Sequence, residues 1–420
     1  MKNFMRLKNV LFAMSLIVSS TSFAQAGKEV KDTKYRRSSL HTILIESENF
    51  PKKDQVIGAY YNAPFPDKFD DHTIGEKSFD PKKYGLVKES SDEEMTSAIN
   101  KYFTNNKIAN KLVAKWFNRK SNGTFDISLV SERGLINASF TDIKTAEASA
   151  EGKALLQSAG LELIGNTFVV VSKMKFIENE PVARVTYEAA IVAANKLTIS
   201  LLRNKAIDVA EKAYNKAKEG YSVWTTSYLY KLKWDDDTSN TFYQDYWIDN
   251  STSGNLAEKK AKFDKSDLFQ LELIGSENST SLVTFSLNGK RTENQIINLA
   301  VTRNVDKVYS KLQKKYDVFK TKVPLFTGNP ITAKIGLKEG IEAGDKFEVL
   351  EANMDPKTGI IEYKRKGTIK VSKNRIWDNR YTGGLPLLDD DGNEINSALE
   401  ATTFEGGGKY YPGMLIRQIN

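Results

Sequence analysis

The sequence LIGNTFVVV at residues 163–171 carries the clearest strand signal in the chain. Its second half, Thr167–Val171, is a short and nearly uninterrupted apolar run, which predicts a buried strand. Helical patterns lie on both sides of it, over 142–159 and 187–218, and Gly160 ends the first of them. A strand placed between two helices indicates a mixed α/β arrangement.

The rest of the body continues this mixture of elements. Ser91 and Glu94 form a capping-box pattern, which predicts the start of a helix of about 25 residues. Thr292 and Gln295 repeat that pattern before a later helix. Further strands are predicted over 124–130, 135–140, 222–233, 268–274 and 282–287. We therefore expect an α+β fold, with a mixed α/β body in which long amphipathic helices pack on sheets.

The C-terminal part changes character after Pro324 and Pro330, which mark a boundary. Short strand patterns separated by glycine turns follow, and they predict a small all-β, barrel-like module. The expected organisation is a signal peptide over 1–26, a flexible mature terminus over 27–37, an N-terminal α/β domain over 38–180, a second α/β domain with the long helix over 181–323, and the β-module over 324–420.

The N-terminus has the pattern of a secretory leader. Lys2, Arg6 and Lys8 precede an apolar run over 10–18, and Ala24 and Ala26 suit a signal peptidase site. This pattern predicts an exported protein that is periplasmic, or associated with the outer membrane or cell surface. No later stretch approaches the roughly 20 apolar residues of a transmembrane helix, so we expect no transmembrane segment in the mature chain.

Composition narrows the function classes. The 420 residues include no cysteine, which excludes thiol chemistry, and the formal charge is +8. Removing the three leader cations (8 − 3) leaves a mature charge of +5. The lysines are spread along the chain, so we expect a solvated basic surface, with attraction to anionic lipid headgroups or acidic polysaccharide as the alternative. The chain has no basic-aromatic motif, so we expect no nucleic-acid partner.

Catalytic motifs are scarce in this sequence. His41 and His72 are its two histidines, and neither lies in a recognisable triad or zinc motif. No phosphate-binding loop or dinucleotide fingerprint is present. The sequence therefore favours a protein that is not an enzyme and has no cofactor and no metal. The acidic run over 389–394 predicts a turn, with weak calcium binding as the alternative.

One segment nevertheless combines aromatic rings with carboxylates, as a sugar-binding groove does. The same residue types also occur where a strand end, a polar turn and a second buried strand follow one another, so both interpretations stay open. If the segment binds a glycan, at least two of its carboxylates and its rings should share an exposed groove. The candidate ligand-binding residues are Trp234, Asp235, Asp237, Asp245, Tyr246 and Trp247.

Two further patterns leave alternatives open. The long helical pattern over 187–218 is typical of a hydrophobic helix inside a soluble domain, with a partner-facing or membrane-surface helix as the alternative. The pentapeptide LELIG occurs at 161–165 and again at 271–275. This recurrence is either a coincidence or the trace of two related α/β halves.

Three segments together resemble an uncharacterised family of exported Bacteroidetes proteins: LIGNTFVVV at 163–171, SYLYKL at 227–232, and GLKEG at 336–340 with GDKFEV at 344–349. The last segment is also similar to the small C-terminal β-module of flagellar and outer-membrane accessory proteins. The resemblance implies an exported protein, and it implies no activity and no functional residue.

Two function hypotheses follow from the sequence. The first is a non-enzymatic exported protein of the cell envelope, a scaffold or accessory component whose partners are other envelope proteins. The second is a carbohydrate-binding or carbohydrate-active protein that uses the segment over 234–249 to hold a glycan.

Overall fold

The computed structural model describes residues 35–46, 49–86, 91–134, 160–218, 221–249, 252, 255–283, 291–354, 361–384, 386, 394 and 399–419. These residues form a mixed α/β body and a closed β-barrel, so the predicted α+β class with a C-terminal barrel is confirmed. The predicted signal peptide, the elements expected over 135–140 and 142–159, and the turn over 389–393 lie outside the described residues.

The body is built on one six-stranded sheet. Its strands are β1 (Ser39–Ile45), β2 (Asp70–Asp71), β3 (Ser78–Phe79), β4 (Thr167–Glu178), β5 (Tyr221–Leu232) and β6 (Leu271–Val283). The order is β2–β1–β4–β5–β6, and β3 also pairs with β1. β1 runs parallel to its neighbours, whereas β5 runs antiparallel to both β4 and β6. The predicted strand at LIGNTFVVV is therefore central, and β6 spans what was predicted as two separate strands.

Nine named helices of the described chain belong to this body. They are α1 (Lys53–Asn62), α2 (Asp92–Asn105), α3 (Ile108–Trp116), α4 (Ser128–Gly134), α5 (Asn179–Asn195), α6 (Ser200–Ala217), α7 (Asp236–Thr241), α8 (Leu256–Lys265) and α9 (Glu293–Lys315). The predicted capping box of α9 is confirmed: the Gln295 amide donates to Thr292 Oγ1, and the Thr292 amide donates to Gln295 Oε1 at 2.8 Å.

Alternation along the strands produces two apolar layers. Successive side chains of a strand point to opposite faces, so Ile43, Val169 and Val171 pack against α2 and α3. Leu44 packs against α1 and α9 on the other face, and Val170 packs against the C-terminal half of α9. The sheet is thus covered by helices on both faces, which is why Phe168–Val171 in β4 is an uninterrupted apolar run.

The barrel has its own core. Its strands are β7 (Val323–Gly328), β8 (Ile331–Ala333), β9 (Lys346–Met354), β10 (Ile361–Val371), β11 (Thr402–Glu405) and β12 (Leu415–Ile419). They close in the order β10–β11–β8–β7–β12–β9. Leu325, Val349, Val371 and Phe404 fill the interior, so every second residue of these strands contributes to a core separate from that of the body.

The domain division expected at residue 180 runs through the sheet. β4 lies before that residue and β5 after it, yet the two strands pair from Phe168 to Glu178. The ranges 38–180 and 181–323 therefore share one sheet and one set of cores.

The terminus expected to be flexible over 27–37 is ordered by residue 35, because Arg37 is 6% exposed and its guanidinium donates to Glu162 at 2.9 Å.

Two local predictions near α3 are wrong. The helix of about 25 residues expected after Ser91 is broken between α2 and α3, where Lys107 adopts a left-handed conformation with a φ of 52°. Asn106 stabilises the break, since its amide donates to the Tyr102 carbonyl at 2.9 Å and to the Tyr84 hydroxyl at 2.8 Å. The strand expected over 124–130 is instead irregular over 124–127 and helical from Ser128, where α4 begins and where the Ser128 amide donates to the Asp126 carboxylate at 3.1 Å.

The long helix expected over 187–218 is two helices, α5 and α6. The amides of Lys196 and Leu197 turn back to the carbonyls of Ala193 and Ala194, which closes α5. Ile199 then adopts an extended conformation with ψ at 113°, so α6 begins in a new direction. We call the two helices and their connection, residues 179–217, the α-hairpin.

Candidate functional site

The predicted ligand-binding residues follow the end of β5. Trp234 comes two residues after that strand, and Asp235 caps α7 by accepting a hydrogen bond from the Thr238 amide at 2.8 Å. A turn of π-helix over Phe242–Tyr246 then carries the chain back across the same surface. The carboxylate of Asp235 is therefore used to begin a helix.

The aromatic rings of this segment belong to the core. Trp234 is 7% exposed and Tyr246 is 8% exposed. Trp234 packs on Phe242, and Tyr246 packs on Phe263, with ring centroids 5.6 and 6.2 Å apart. The Tyr246 hydroxyl accepts a hydrogen bond from Ser266 at 3.0 Å, so its polar end is satisfied within the protein.

Trp247 is half-buried over the same cluster. Its ring stacks on Phe125 at 5.7 Å and meets the edge of Phe117 at 5.6 Å, and its indole N–H donates to Asp249 at 3.2 Å. Asp237 is exposed, and Asp245 is bound to Lys262 at 3.1 Å. The structure thus brings these rings together in the core and leaves no groove between their exposed faces. Such a groove is what the carbohydrate hypothesis requires. The rings pack inward because aromatic side chains are the largest contributors to a core.

Both histidines are buried and neutral. Burial lowers the pKa of His41 to about 4 and that of His72 to about 3. The Arg133 guanidinium donates to His72 Nδ1 at 3.1 Å, so His72 Nε2 carries the proton that it donates to the Leu112 carbonyl at 2.9 Å. Across the described residues, no three His, Cys, Asp or Glu side chains are grouped so that they could hold a metal ion.

The junction of body and barrel holds a polar cluster. Tyr35 and Tyr363 are joined at 2.6 Å between their hydroxyls, and Tyr363 donates to Glu162 at 3.1 Å. Arg37 binds the second oxygen of that carboxylate at 2.9 Å. Burial raises the pKa of Tyr35 to about 12 and also raises that of Tyr363. Both hydroxyls therefore stay protonated, and the cluster ties the barrel to the body.

A cleft of about 500 Å³ lies between α9 and the barrel. Its cations already have partners in the protein: Lys307 and Lys311 donate to the carbonyls of Thr280 and Asn278. Its unusual group is Asp306, because burial raises the pKa of that carboxyl to about 6. The cleft is best described as part of the packing between the two units.

The α-hairpin is the remaining feature. α5 and α6 pack chiefly on each other and rise from the end of the β4–β5 pair. The base is fixed to the sheet by a hydrogen bond of 2.6 Å from Ser222 to Asn179. Tyr214 donates to Glu180 at 3.0 Å, and its ring lies 5.0 Å from that of Tyr187.

The α-hairpin exposes apolar side chains to an unusual extent. Fifteen large hydrophobic side chains of the described chain are exposed, and eight of them lie in these 39 residues. They are Val182, Val185, Val192, Leu197, Ile199, Leu201, Leu202 and Val209. The expectation of a helix buried inside the domain is therefore wrong, and the alternative of a surface-directed helix fits. None of the described helices is long and apolar enough to span a membrane.

The functional feature missed by sequence reasoning is this exposure. Periodicity predicted helical structure over 187–218, and it does not indicate whether a second layer covers that structure. The available signal was the interruption of the apolar run by Lys196, Arg203 and Asn204, which a buried helix rarely tolerates.

No protein-family model matches the chain, and no curated protein is significantly similar to it.

Proposed function

We propose that this protein is a non-enzymatic, exported component of the cell envelope, which serves as a scaffold or accessory subunit and docks through the α-hairpin. The apolar exposure of the α-hairpin is the observation that carries this proposal. Exposed apolar side chains concentrated in one part of a fold are unfavourable in water, and such a concentration commonly marks an interaction site. The leader-like pattern over residues 1–26 and the resemblance to exported Bacteroidetes proteins support the location.

The rest of the fold suits a scaffold. The sheet and its helix layers form a large core, and the Tyr35–Tyr363–Glu162 cluster holds the barrel against that core. The α-hairpin is therefore mounted on a body of defined shape. A defined mounting lowers the entropy that a partner loses when it docks.

Photo-cross-linking in the native host tests this proposal. A photoreactive residue is placed at Val185, 68% exposed on α5, and at Val318, a control that is 47% exposed outside the α-hairpin. We expect a discrete adduct with an envelope protein from position 185 and none from position 318. Equal patterns from the two positions would overturn the docking role.

Export is tested separately by fractionation and N-terminal sequencing. We expect the protein in the envelope fraction, with a mature chain that starts at or near Gly27. A chain that keeps Lys2 and Arg6 and stays in the cytoplasm would contradict the proposed location.

A further inference from the structure

The tip of the α-hairpin, residues 192–205, differs from the rest of it in charge. It contains Lys196, Arg203 and Lys205 and no carboxylate. The ion pairs of the α-hairpin within the described chain, Arg184–Glu180 and Lys212–Asp208, lie away from the turn. Arg203 donates to the Leu197 carbonyl at 3.4 Å, which leaves its charge uncompensated. The cations of the tip are therefore available to an external anion.

The same tip holds five exposed apolar side chains, among them Leu201, the most exposed large apolar side chain of the described residues. Leu201 is 76% exposed, Ile199 58% and Leu202 50%. Leu197 and Val192 complete the apolar surface of the tip. Apolar side chains next to unpaired cations are the combination that binds at the interface of a bilayer, where acyl chains and charged headgroups meet.

Resting on the docking role proposed above, we propose that this tip binds the surface of a bilayer that contains anionic phospholipid. Leucine and isoleucine enter the headgroup and upper acyl region, and the three cations contact the phosphate groups. The α-hairpin does not cross the bilayer, and its base keeps the body away from the lipid.

The position of the carboxylates agrees with this geometry. Glu188 and Asp208 are the acidic residues nearest the turn, seven and eight positions from the end of α5 and the start of α6. At 1.5 Å per residue these intervals are about 10 to 12 Å along the helix axes. Interfacial helices sink about 5 to 10 Å into a bilayer, so the acidic side chains stay on the aqueous side.

A second copy of the chain fits the tip less well. Two tips placed against each other would bring six cations together without a carboxylate between them, and like charges in contact are unfavourable. The tip also offers five apolar side chains, whereas a stable interface needs about 800 Å² from each partner. Charge and size therefore favour a lipid surface over a dimer.

Vesicle flotation of the mature protein tests the proposal. Vesicles of equal parts phosphatidylglycerol and phosphatidylcholine should carry the protein, and vesicles of phosphatidylcholine alone should carry much less. Lys196→Gln, Arg203→Gln and Lys205→Gln together should lower the partition coefficient about 100-fold, since each cation near an anionic surface contributes about fivefold. A matched triple variant, Lys364→Gln, Lys373→Gln and Lys409→Gln, changes exposed barrel lysines and should bind normally.

The contribution of the apolar side chains of the tip is tested in the same flotation assay. Leu201→Ser with Leu202→Ser should lower partitioning by more than about tenfold, because two leucine side chains lose their transfer from water. Val318→Ser, the exposed control elsewhere, should not change it. Absence of flotation, equal flotation on both vesicles, or equal loss in tip and control variants would overturn the lipid proposal.

These measurements distinguish failure of the lipid proposal from failure of the scaffold proposal. Sedimentation reports a dimer directly, and a dimer that Leu201→Ser dissociates would replace the lipid surface by a second copy. Cross-linking from Val185 to an envelope protein without any flotation would leave the scaffold role standing and remove the lipid partner.

Discussion

Replacing Asp306 by Asn should stabilise the protein at neutral pH and leave its stability unchanged in acid. Burial raises the pKa of this carboxyl; Lys338 and Arg303 oppose the rise, and Glu339 and Asp67 add to it. The folded protein therefore holds the neutral form to higher pH than the unfolded chain does. Asparagine has nearly the same shape and stays neutral at every pH.

The size of the effect comes from the change in pKa. The value rises from 3.8 to about 6, and one pKa unit corresponds to about 1.4 kcal/mol, so ionised Asp306 costs the folded state about 3 kcal/mol. Below pH 4 both states are protonated and the cost is absent. Between pH 4 and 6 the unfolded chain ionises first, so wild-type stability falls as pH rises. Above pH 6 the full cost is present.

Urea unfolding of wild type and Asp306→Asn at pH 4 and at pH 8 measures this difference. Asp67, which adds to the rise at Asp306, keeps its charge at both pH values: burial raises its pKa, but Lys68 and Lys338 bring it down to about 2. Carboxyls that titrate alike in the two proteins cancel when their stabilities are compared. A variant that is no more stable than wild type at pH 8, or equally stabilised at both pH values, would refute the reasoning.

Three further substitutions have defined outcomes. Phe117→Ala should lower the free energy of unfolding by about 3 to 5 kcal/mol, because Phe117 is fully buried and stacks on Phe242 at 4.6 Å; a loss below 1 kcal/mol in urea unfolding would contradict its place in the core. Thr292→Ala should cost about 1 kcal/mol through the lost cap of α9, with Thr292→Ser as the control that keeps it. Leu201→Ser with Leu202→Ser should change stability by less than about 0.5 kcal/mol, and a large drop in melting temperature would show that the tip is covered.

The sequence predicted the centre of the fold well for a physical reason. The run Thr167–Val171 has no polar side that could face water, so burial in a sheet was its favourable position. The capping box of Thr292 is likewise a local interaction, satisfied within four residues. The barrel could be predicted because glycine or proline interrupts the sequence between its short strand patterns.

Other elements depend on contacts far along the chain. LELIG is helical at 161–165 and extended at 271–275, so the same five residues take the structure that their surroundings favour. The two copies thus mark no structural repeat. The break between α5 and α6 contains neither glycine nor proline, and no local signal predicts it.

The site was harder to predict than the fold. Trp234 and Tyr246 are residue types that line sugar-binding grooves. Their role in the core follows from Phe242, Phe263 and Phe269, which cover their rings. The exposure of Leu201 likewise depends on which elements fail to pack on α6. Both questions concern tertiary contacts, which residue types alone do not determine.

Thiol labelling measures the docking role of the α-hairpin most directly. The chain has no cysteine, so Leu201→Cys and Val318→Cys each introduce one unique reactive position. In the purified protein both should react rapidly with a water-soluble maleimide, since both positions are exposed. In intact envelopes we predict that position 201 is protected and position 318 still reacts. Equal reactivity of position 201 in both preparations would contradict the account.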